Sequence, residues 1–353
     1  MLKSLAIIWA LLTAGASVLV DSHICFRMPH VADLAADYAR QTDPMILAIG
    51  SSRTGEGLEI NRLTGYLRNS LYDKQLTAFI ATASGSGLAT QESILRAMLS
   101  AGPKPQAVIL EVNPEFLDAR KKWINITRDA TWENLFDLGG EAFQKYGAKL
   151  AECRLLPLYA RRFEVRRFLW RWAFGSAGRI PPKLDPMEPD VPVFWAGFLL
   201  PRVPPEPMTD ELRAKQMRLA AKPMTTFSPT GSAARALERM LRVCEEREIP
   251  VLMVEAALCS HSRRALAPAN APYAAYIESL LRKHPLARYD DARAALPDEA
   301  FRDHHHANAY GSDLLCRRLA RNVLPTAFAA WRRELGGKDQ MARLPLHTES
   351  TTQ

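Results

Sequence analysis

Cysteine is scarce in this chain and follows no pairing pattern. The 353 residues hold five, at Cys25, Cys153, Cys244, Cys259 and Cys316. The number is odd, the spacings are scattered, and there is no Cys-x-x-Cys pair and no lipobox ahead of Cys25. A disulfide-framed scaffold and a thiolate zinc ribbon are thereby excluded, and the cysteines read as small buried hydrophobes. An RNP-type motif, a zinc knuckle and a basic-aromatic repeat outside one short region are also missing, so nucleic acid is not expected as a partner. Long uncharged runs are few. The first is "LAIIWALLTAGASVLV", sixteen residues from Leu5 to Val20 that end at Asp21. It is short for a membrane span, which needs roughly 20 apolar residues, but long enough for a signal-peptide core. Lys3 is the only charge before it, and Ala14 to Ala16 offer a small-residue cleavage site. Residues 1–22 therefore read as a signal anchor or signal peptide, against a buried core helix as the competing reading. The expected location is the cytoplasmic membrane, with one N-terminal anchor and a periplasmic, extracytoplasmic domain.

What is present is ordinary globular material. Hydrophobic residues make up 48%, and 46 Lys and Arg against 38 Asp and Glu leave a net charge of +8. That balance favours anionic surfaces and says nothing about fold. Short apolar runs at Met45 to Ile49, Thr77 to Ala81, Ala107 to Val112 and Pro250 to Ala256 alternate with helical patterns at Thr90 to Gly102, Ser232 to Arg247 and after Gly311. Such alternation predicts an α/β fold, a three-layer sandwich with a central, mainly parallel sheet covered on both faces. From about residue 125 to 227 the rhythm lapses into an inserted helical and irregular segment. This insertion holds a proline-rich stretch and, between Arg154 and Trp172, six arginines against one glutamate, interleaved with Phe163, Phe168, Trp170 and Trp172. A helix of that kind could lie on an anionic membrane surface, grip a polyanionic glycan, or pack its aromatics on the main domain. The core thus divides into 43–124 and 228–335, and the tail over 336–353 reads as disordered.

Chemistry-bearing residues fall at the ends of these strands. "MILAIGSSRTGEG" runs the first strand into Gly50, Ser51 and Ser52. At the carboxyl edge of a sheet, where ligands of open α/β folds bind, Ser52 can be presented as a nucleophile with its own N–H facing an oxyanion. "FRDHHHANAYG" sets Asp303 three residues before His306, a spacing that lets the carboxylate orient one imidazole nitrogen while the other faces a serine. Metal binding by His304, His305 and His306 is the rival, but consecutive side chains are expected to diverge and no second ligand cluster appears. Neither a metal nor a cofactor is called for. "TASGSGL" offers the backbone N–H of Gly85 or Gly87, and "ILEVNPEF" offers the side-chain amide of Asn113, as further oxyanion donors. Arg53, beside the nucleophile, could bind an anionic substrate group or be a salt-bridged surface arginine.

This order and spacing resemble the SGNH (GDSL-type) hydrolase superfamily over about residues 43–120 and 228–325. In such proteins the serine sits in a Gly-Asp-Ser block, matched here by "GSS" with Ser51 in the aspartate's place. The second block's spacing, Thr82 to Gly87, favours Gly87 over Gly85. The third, Gly-x-Asn-Asp, stands as "EVNP", keeping Asn113 with Glu111 and Pro114 as flanks. The last is matched by Asp303, His306, Ala307, Asn308 and Gly311. The resemblance implies an SGNH/flavodoxin-like fold and a Ser52, His306, Asp303 triad with oxyanion donors from Ser52, Gly87 and Asn113. "GSSR" with an N-terminal apolar segment looks like the membrane-anchored bacterial branch that serves polysaccharide O-acetylation and teichoic-acid D-alanylation. An acylated glycan or acyl donor is the implied substrate, and a multi-span membrane acyltransferase the implied partner. Two expectations of different class follow: a serine esterase or O-acyltransferase of the cell envelope, and a non-catalytic, membrane-anchored scaffold or glycan-binding relative.

Overall fold

The computed structural model of the protein describes residues 29–43, 45–83, 86–117, 224 and 227–335. The segment over 1–22, nearly all of the insertion and the tail over 336–353 lie outside the described residues. From Leu34 onward, the described elements belong to one compact unit formed by residues 34–122 and 194–353. Among the described residues no helix is long and apolar enough to cross a membrane.

In chain order the described elements are α1 (Pro29–Ala39), β1 (Met45–Gly50), α2 (Ser52–Gly57), α3 (Ile60–Leu71), β2 (Thr77–Thr82), α4 (Leu88–Ala101), β3 (Ala107–Val112) and α5 (Pro114–Leu117). After the insertion come α6 (Ser232–Glu246), β4 (Val251–Glu255), α7 (Ser260–Leu266), α8 (Asn270–Lys283), β5 (Ala287–Asp291), α9 (Ala309–Arg318) and α10 (Leu324–Glu334). The five strands form one sheet in the order β2-β1-β3-β4-β5, and every pairing is parallel. The expected parallel sheet is thus present, every pairing among the described residues being parallel, in an order compatible with a flavodoxin-like fold. Strands β1 and β3 are buried at every residue, which is why they read as continuous apolar runs rather than alternating ones. β5 is an edge strand, "ARYDD", half-exposed along most of its length.

Both faces of the sheet are covered. On one, Leu63, Leu67 and Leu71 project from α3 at four-residue intervals and pack with Phe328 and Trp331 of α10 over Ile46, Ala48, Ile80, Ile109 and Leu252. Burying each leucine is worth about 1.5–3 kcal/mol. On the other face α4 packs against β1, β2 and α6. Arg239 of α6 clamps Glu92 of α4 there, with Nη2 2.7 Å from Oε2 and Nε 2.9 Å from Oε1. Met224 and Phe227, at the end of the expected insertion, pack with Leu258, Leu266 and Ala269. Residues 227–230 add no strand and lead into α6.

The sheet order decides where chemistry can gather. β1 and β3 are neighbours whose connections leave toward opposite sides, so the crevice at their carboxyl ends is the topological switch point where ligands of such sheets bind. Ile49 lies opposite Leu110 and Gly50 opposite Thr82, bringing the ends of β3 and β2 to either side of the turn that starts α2.

Candidate active site

Ser51 is the N-cap of α2 and Ser52 its first helical residue. Glycine is required at the last position of β1 because Gly50 lies under packed side chains. A Cβ there would meet Oγ1 of Thr54 at 2.1 Å and Oε2 of Glu111 at 2.6 Å. Like the other first-turn donors of a helix, the N–H of Ser52 has no partner within its own helix.

The imidazole arrives on a loop closed upon itself. Phe301 and Ala307 form an antiparallel bridge, and the Arg302 N–H donates to the His306 carbonyl at 2.8 Å. Inside that loop Asp303 Oδ1 accepts the N–H groups of His305 (3.0 Å) and His306 (2.9 Å). Asn308 caps α9 by accepting from the Gly311 N–H at 3.0 Å, while its own N–H donates to the Ala300 carbonyl. Arg302 reaches Glu56 of α2 at 2.9 Å, tying the histidine loop to the serine helix.

These constraints bring together residues 254 positions apart. Ser52 Oγ lies 2.8 Å from Nε2 of His306, and Nδ1 of His306 lies 2.6 Å from Oδ2 of Asp303. A carboxylate only accepts, so Nδ1 carries the proton and Nε2 is left to accept from the Ser52 hydroxyl. Burial alone would raise the Asp303 pKa. The hydrogen bond and charge of His306, with the His305 N–H, outweigh it and hold the carboxyl well below its usual range.

Asn113, just past β3, is fully buried, and its two amide atoms have different surroundings. Oδ1 accepts the Phe116 N–H at 2.9 Å, whereas Nδ2 finds no partner among the described residues. Gly87 is the half-buried N-cap of α4. The preceding Ser86 donates its hydroxyl to the Gly50 carbonyl at 3.1 Å, stitching this turn to the one that carries Ser52. Gly85 lies outside the described residues. Arg53 is not a free surface group. Its Nη2 pairs with Glu115 at 2.6 Å, its guanidinium lies over the Phe116 ring, and Nη1 is buried without a partner among the described residues.

The three histidines depart from expectation. Their rings do not diverge: centroids are 3.7 Å apart from His304 to His305 and 4.0 Å from His305 to His306. The double acceptance by Asp303 tightens the turn enough to gather them on one side. Asp303, His305 and His306 present atoms within 4.8 Å of one another, close enough for a cation. Both nitrogens of His306 and both oxygens of Asp303 are, however, already engaged by the bonds given above, so metal binding would have to dismantle them. His305 is kept neutral by burial and then by the charge of Arg53, its pKa pulled down to about 2. Burial, with Arg53 as a lesser cause, lowers His304 as well.

Sequence reasoning missed three features. Glu111, read as a departure from the third block, is buried and faces the nucleophile turn: Oε2 accepts from the Ser51 N–H (2.7 Å) and Thr54 Oγ1 (2.6 Å), and Oε1 from Ser51 Oγ (2.8 Å). Gln91, one turn beyond Gly87, is buried with both amide atoms lacking partners among the described residues. An apolar chamber is walled by Ala256, Ala257, Ala292 and Leu315 together with Arg53 and His305, the chain neighbours of Ser52 and His306, and none of Ser52, His306 and Asp303 lines it. No sequence pattern marks Gln91 or the chamber, but an acidic residue two before Asn113 in an otherwise apolar strand was a signal for Glu111.

No protein-family model matches the chain, and no curated protein matches it in sequence.

Proposed function

We propose that the protein is a serine-dependent acyl esterase or O-acyltransferase of SGNH type, acting on cell-envelope polysaccharide outside the cytoplasmic membrane through an acyl-enzyme. The observation that carries this reading is the unbroken chain from Ser52 Oγ through His306 to Asp303, 2.8 Å and 2.6 Å long in its two links. Glutamine, asparagine and arginine atoms buried without partners around the same sheet edge support a polar substrate, since leaving such groups unsatisfied costs about 1–3 kcal/mol each. The apolar chamber beside Arg53 and His305 is suited to the acyl side.

His306 takes the hydroxyl proton as Ser52 Oγ forms its bond to the acyl carbonyl carbon. Asp303 meanwhile stabilises the imidazolium by holding Nδ1–H. Negative charge developing on the carbonyl oxygen is met by the N–H groups of Ser52 and Gly87 and by Nδ2 of Asn113. The tetrahedral intermediate collapses, His306 protonates the departing oxygen, and the acyl group remains on Ser52. In the second half His306 deprotonates a water or a sugar hydroxyl, which attacks the ester and regenerates Ser52. Water gives an esterase and sugar a transferase. Delivery of an acyl group across the membrane falls to a multi-span partner, and residues 1–22 hold the protein at the membrane. Arg53, half-neutralised by Glu115, offers Nη1 to a substrate oxygen.

Fluorophosphonate labelling tests the reading. Wild-type protein is expected to label at a rate that Ser52→Ala abolishes. Labelling of wild type no faster than of Ser52→Ala would leave the competing reading, a non-catalytic glycan-binding scaffold.

A further inference from the structure

The nucleophile turn contains a buried carboxylate that the proposed chemistry does not consume. Glu111 is the penultimate residue of β3, two percent exposed, and no arginine or lysine pairs with it among the described residues. Its hydrogen bonds converge on two residues of the α2 start, Ser51 and Thr54, which lie on either side of Ser52. Oε2 accepts from the Ser51 N–H at 2.7 Å, from Thr54 Oγ1 at 2.6 Å and from the Thr54 N–H at 3.3 Å. The Ser51 hydroxyl lies 2.8 Å from Oε1 and 3.0 Å from Oε2. Ser51 Oγ in turn accepts the Arg53 N–H at 3.2 Å. An unpaired buried charge is costly unless donors of this number surround it. The donors are all drawn from the residues flanking Ser52, and Ser52 itself is left out.

We propose that Glu111 is a positioning residue for the Ser52 nucleophile. It fixes both sides of the turn, Ser51 before the nucleophile and Thr54 after it, and so sets the direction in which α2 leaves β1. Ser51 has φ −92° and ψ −164°, an extended conformation that must switch to helix at the next residue. With Ser51 and Thr54 both held from β3, the Ser52 side chain has one direction, toward Nε2 of His306 at 2.8 Å. The inference rests on the acyl-transfer reading. It also explains two sequence departures as one exchange: Ser51 stands where the resembled Gly-Asp-Ser block has a carboxylate, and Glu111 supplies a carboxylate where the third block has glycine. A misplacement of about 1 Å at a reacting atom costs on the order of a hundredfold in rate, and this sets the expected effect.

The test is saturable fluorophosphonate labelling of the full chain, read as a maximal inactivation rate and a half-saturating concentration, with thermal unfolding measured alongside. Glu111→Gln places an amide donor against the Ser51 and Thr54 donors. It is expected to lower the maximal rate about a hundredfold with half-saturation changed by less than about threefold. Thr54→Val removes one donor and keeps the carboxylate, with an expected loss of about tenfold. The decisive variant is the double substitution Ser51→Asp with Glu111→Gln, which moves the carboxylate to the other side of the same contact and lets the new amide donate to it. It is expected to recover at least tenfold of the loss, a coupling that a merely structural role would not produce. Wild-type labelling that does not exceed Ser52→Ala overturns the acyl-transfer reading. Wild-type labelling with Glu111→Gln at the same maximal rate, or a folded double variant no faster than Glu111→Gln, overturns the positioning role alone.

Discussion

In the proposed mechanism Asn113 separates catalysis from stability within one side chain, because its two amide atoms have different surroundings. Oδ1 accepts the Phe116 N–H at 2.9 Å and caps the short helix α5, whereas the buried Nδ2 has no partner among the described residues. Replacement by serine keeps a neutral oxygen that can cap and removes the amide donor. Replacement by alanine removes both. The loss of one oxyanion donor lowers turnover by about 10²–10³, equivalent to about 2.7–4 kcal/mol in the barrier, and loss of a cap costs about 1 kcal/mol of folding stability. Asn113→Ser should therefore lose about 10²–10³ in the acylation rate with an activated acetyl ester. Its urea midpoint should stay near wild type. Asn113→Ala should show the same kinetic loss with a lower midpoint. An Asn113→Ser protein that acylates at the wild-type rate would refute the assignment of Nδ2 to the oxyanion.

Other outcomes follow from the same geometry. Asp303→Asn keeps an acceptor for the His305 and His306 N–H groups but cannot accept from Nδ1–H, so the imidazole is left in the wrong tautomer; acylation should fall about 10⁴-fold with little change in melting temperature, and an unchanged rate would contradict the triad. Glu255 is fully buried, and burial lifts its pKa from 4.5 to about 7 against the opposing pull of the Tyr289 hydroxyl and of Arg293, whose Nε lies 3.4 Å from Oε1 while Nε and Nη2 donate to Asp291. A raised folded value means stability present below pH 4.5 and lost as pH rises through about 7, on the order of 3 kcal/mol. Urea unfolding at pH 5 and pH 8 should show that loss in wild type and a flatter difference in Glu255→Gln, and identical differences in the two proteins would contradict it. Gly311→Ala would set a Cβ 2.3 Å from the Ala300 carbonyl oxygen, in rigid backbone; about 1–3 kcal/mol of destabilisation is expected by chemical denaturation, and an unshifted midpoint would show that α9 can move away.

The parts of the fold that sequence revealed are those where burial was uniform. β1, β3 and β4 are buried on both faces and stand out as apolar runs, whereas β5 was passed over because Tyr289, Asp290 and Asp291 are polar. Their partners explain the choice: Arg318 holds Asp290, and Tyr289 donates to Glu255, contacts created only by the sheet edge. α3 escaped notice because its Leu63, Leu67 and Leu71 stripe is narrow and interrupted by polar residues and Gly65. α4 begins at Leu88, earlier than its amphipathic pattern, and α9 begins at Ala309, before Gly311 rather than after it. Ser52, His306 and Asp303 were legible because residue type and local spacing carry their chemistry. Glu111 stood out only as a carboxylate in an apolar strand, and its contacts depend on β3 lying beside β1, a fact of strand order that no local window contains. The gathering of the histidine rings depends likewise on one carboxylate oxygen serving two backbone donors.

In the proposed reaction Ser52 Oγ, activated by His306, accepts an acyl group. Its most direct measurement is intact-mass and peptide analysis of the protein after brief exposure to an activated acetyl ester and acid quench. Wild type is expected to carry a single acetyl group on Ser52, absent in Ser52→Ala and strongly reduced in His306→Ala. Wild-type protein that stays unacetylated, or carries the group elsewhere at equal yield in His306→Ala, would contradict it.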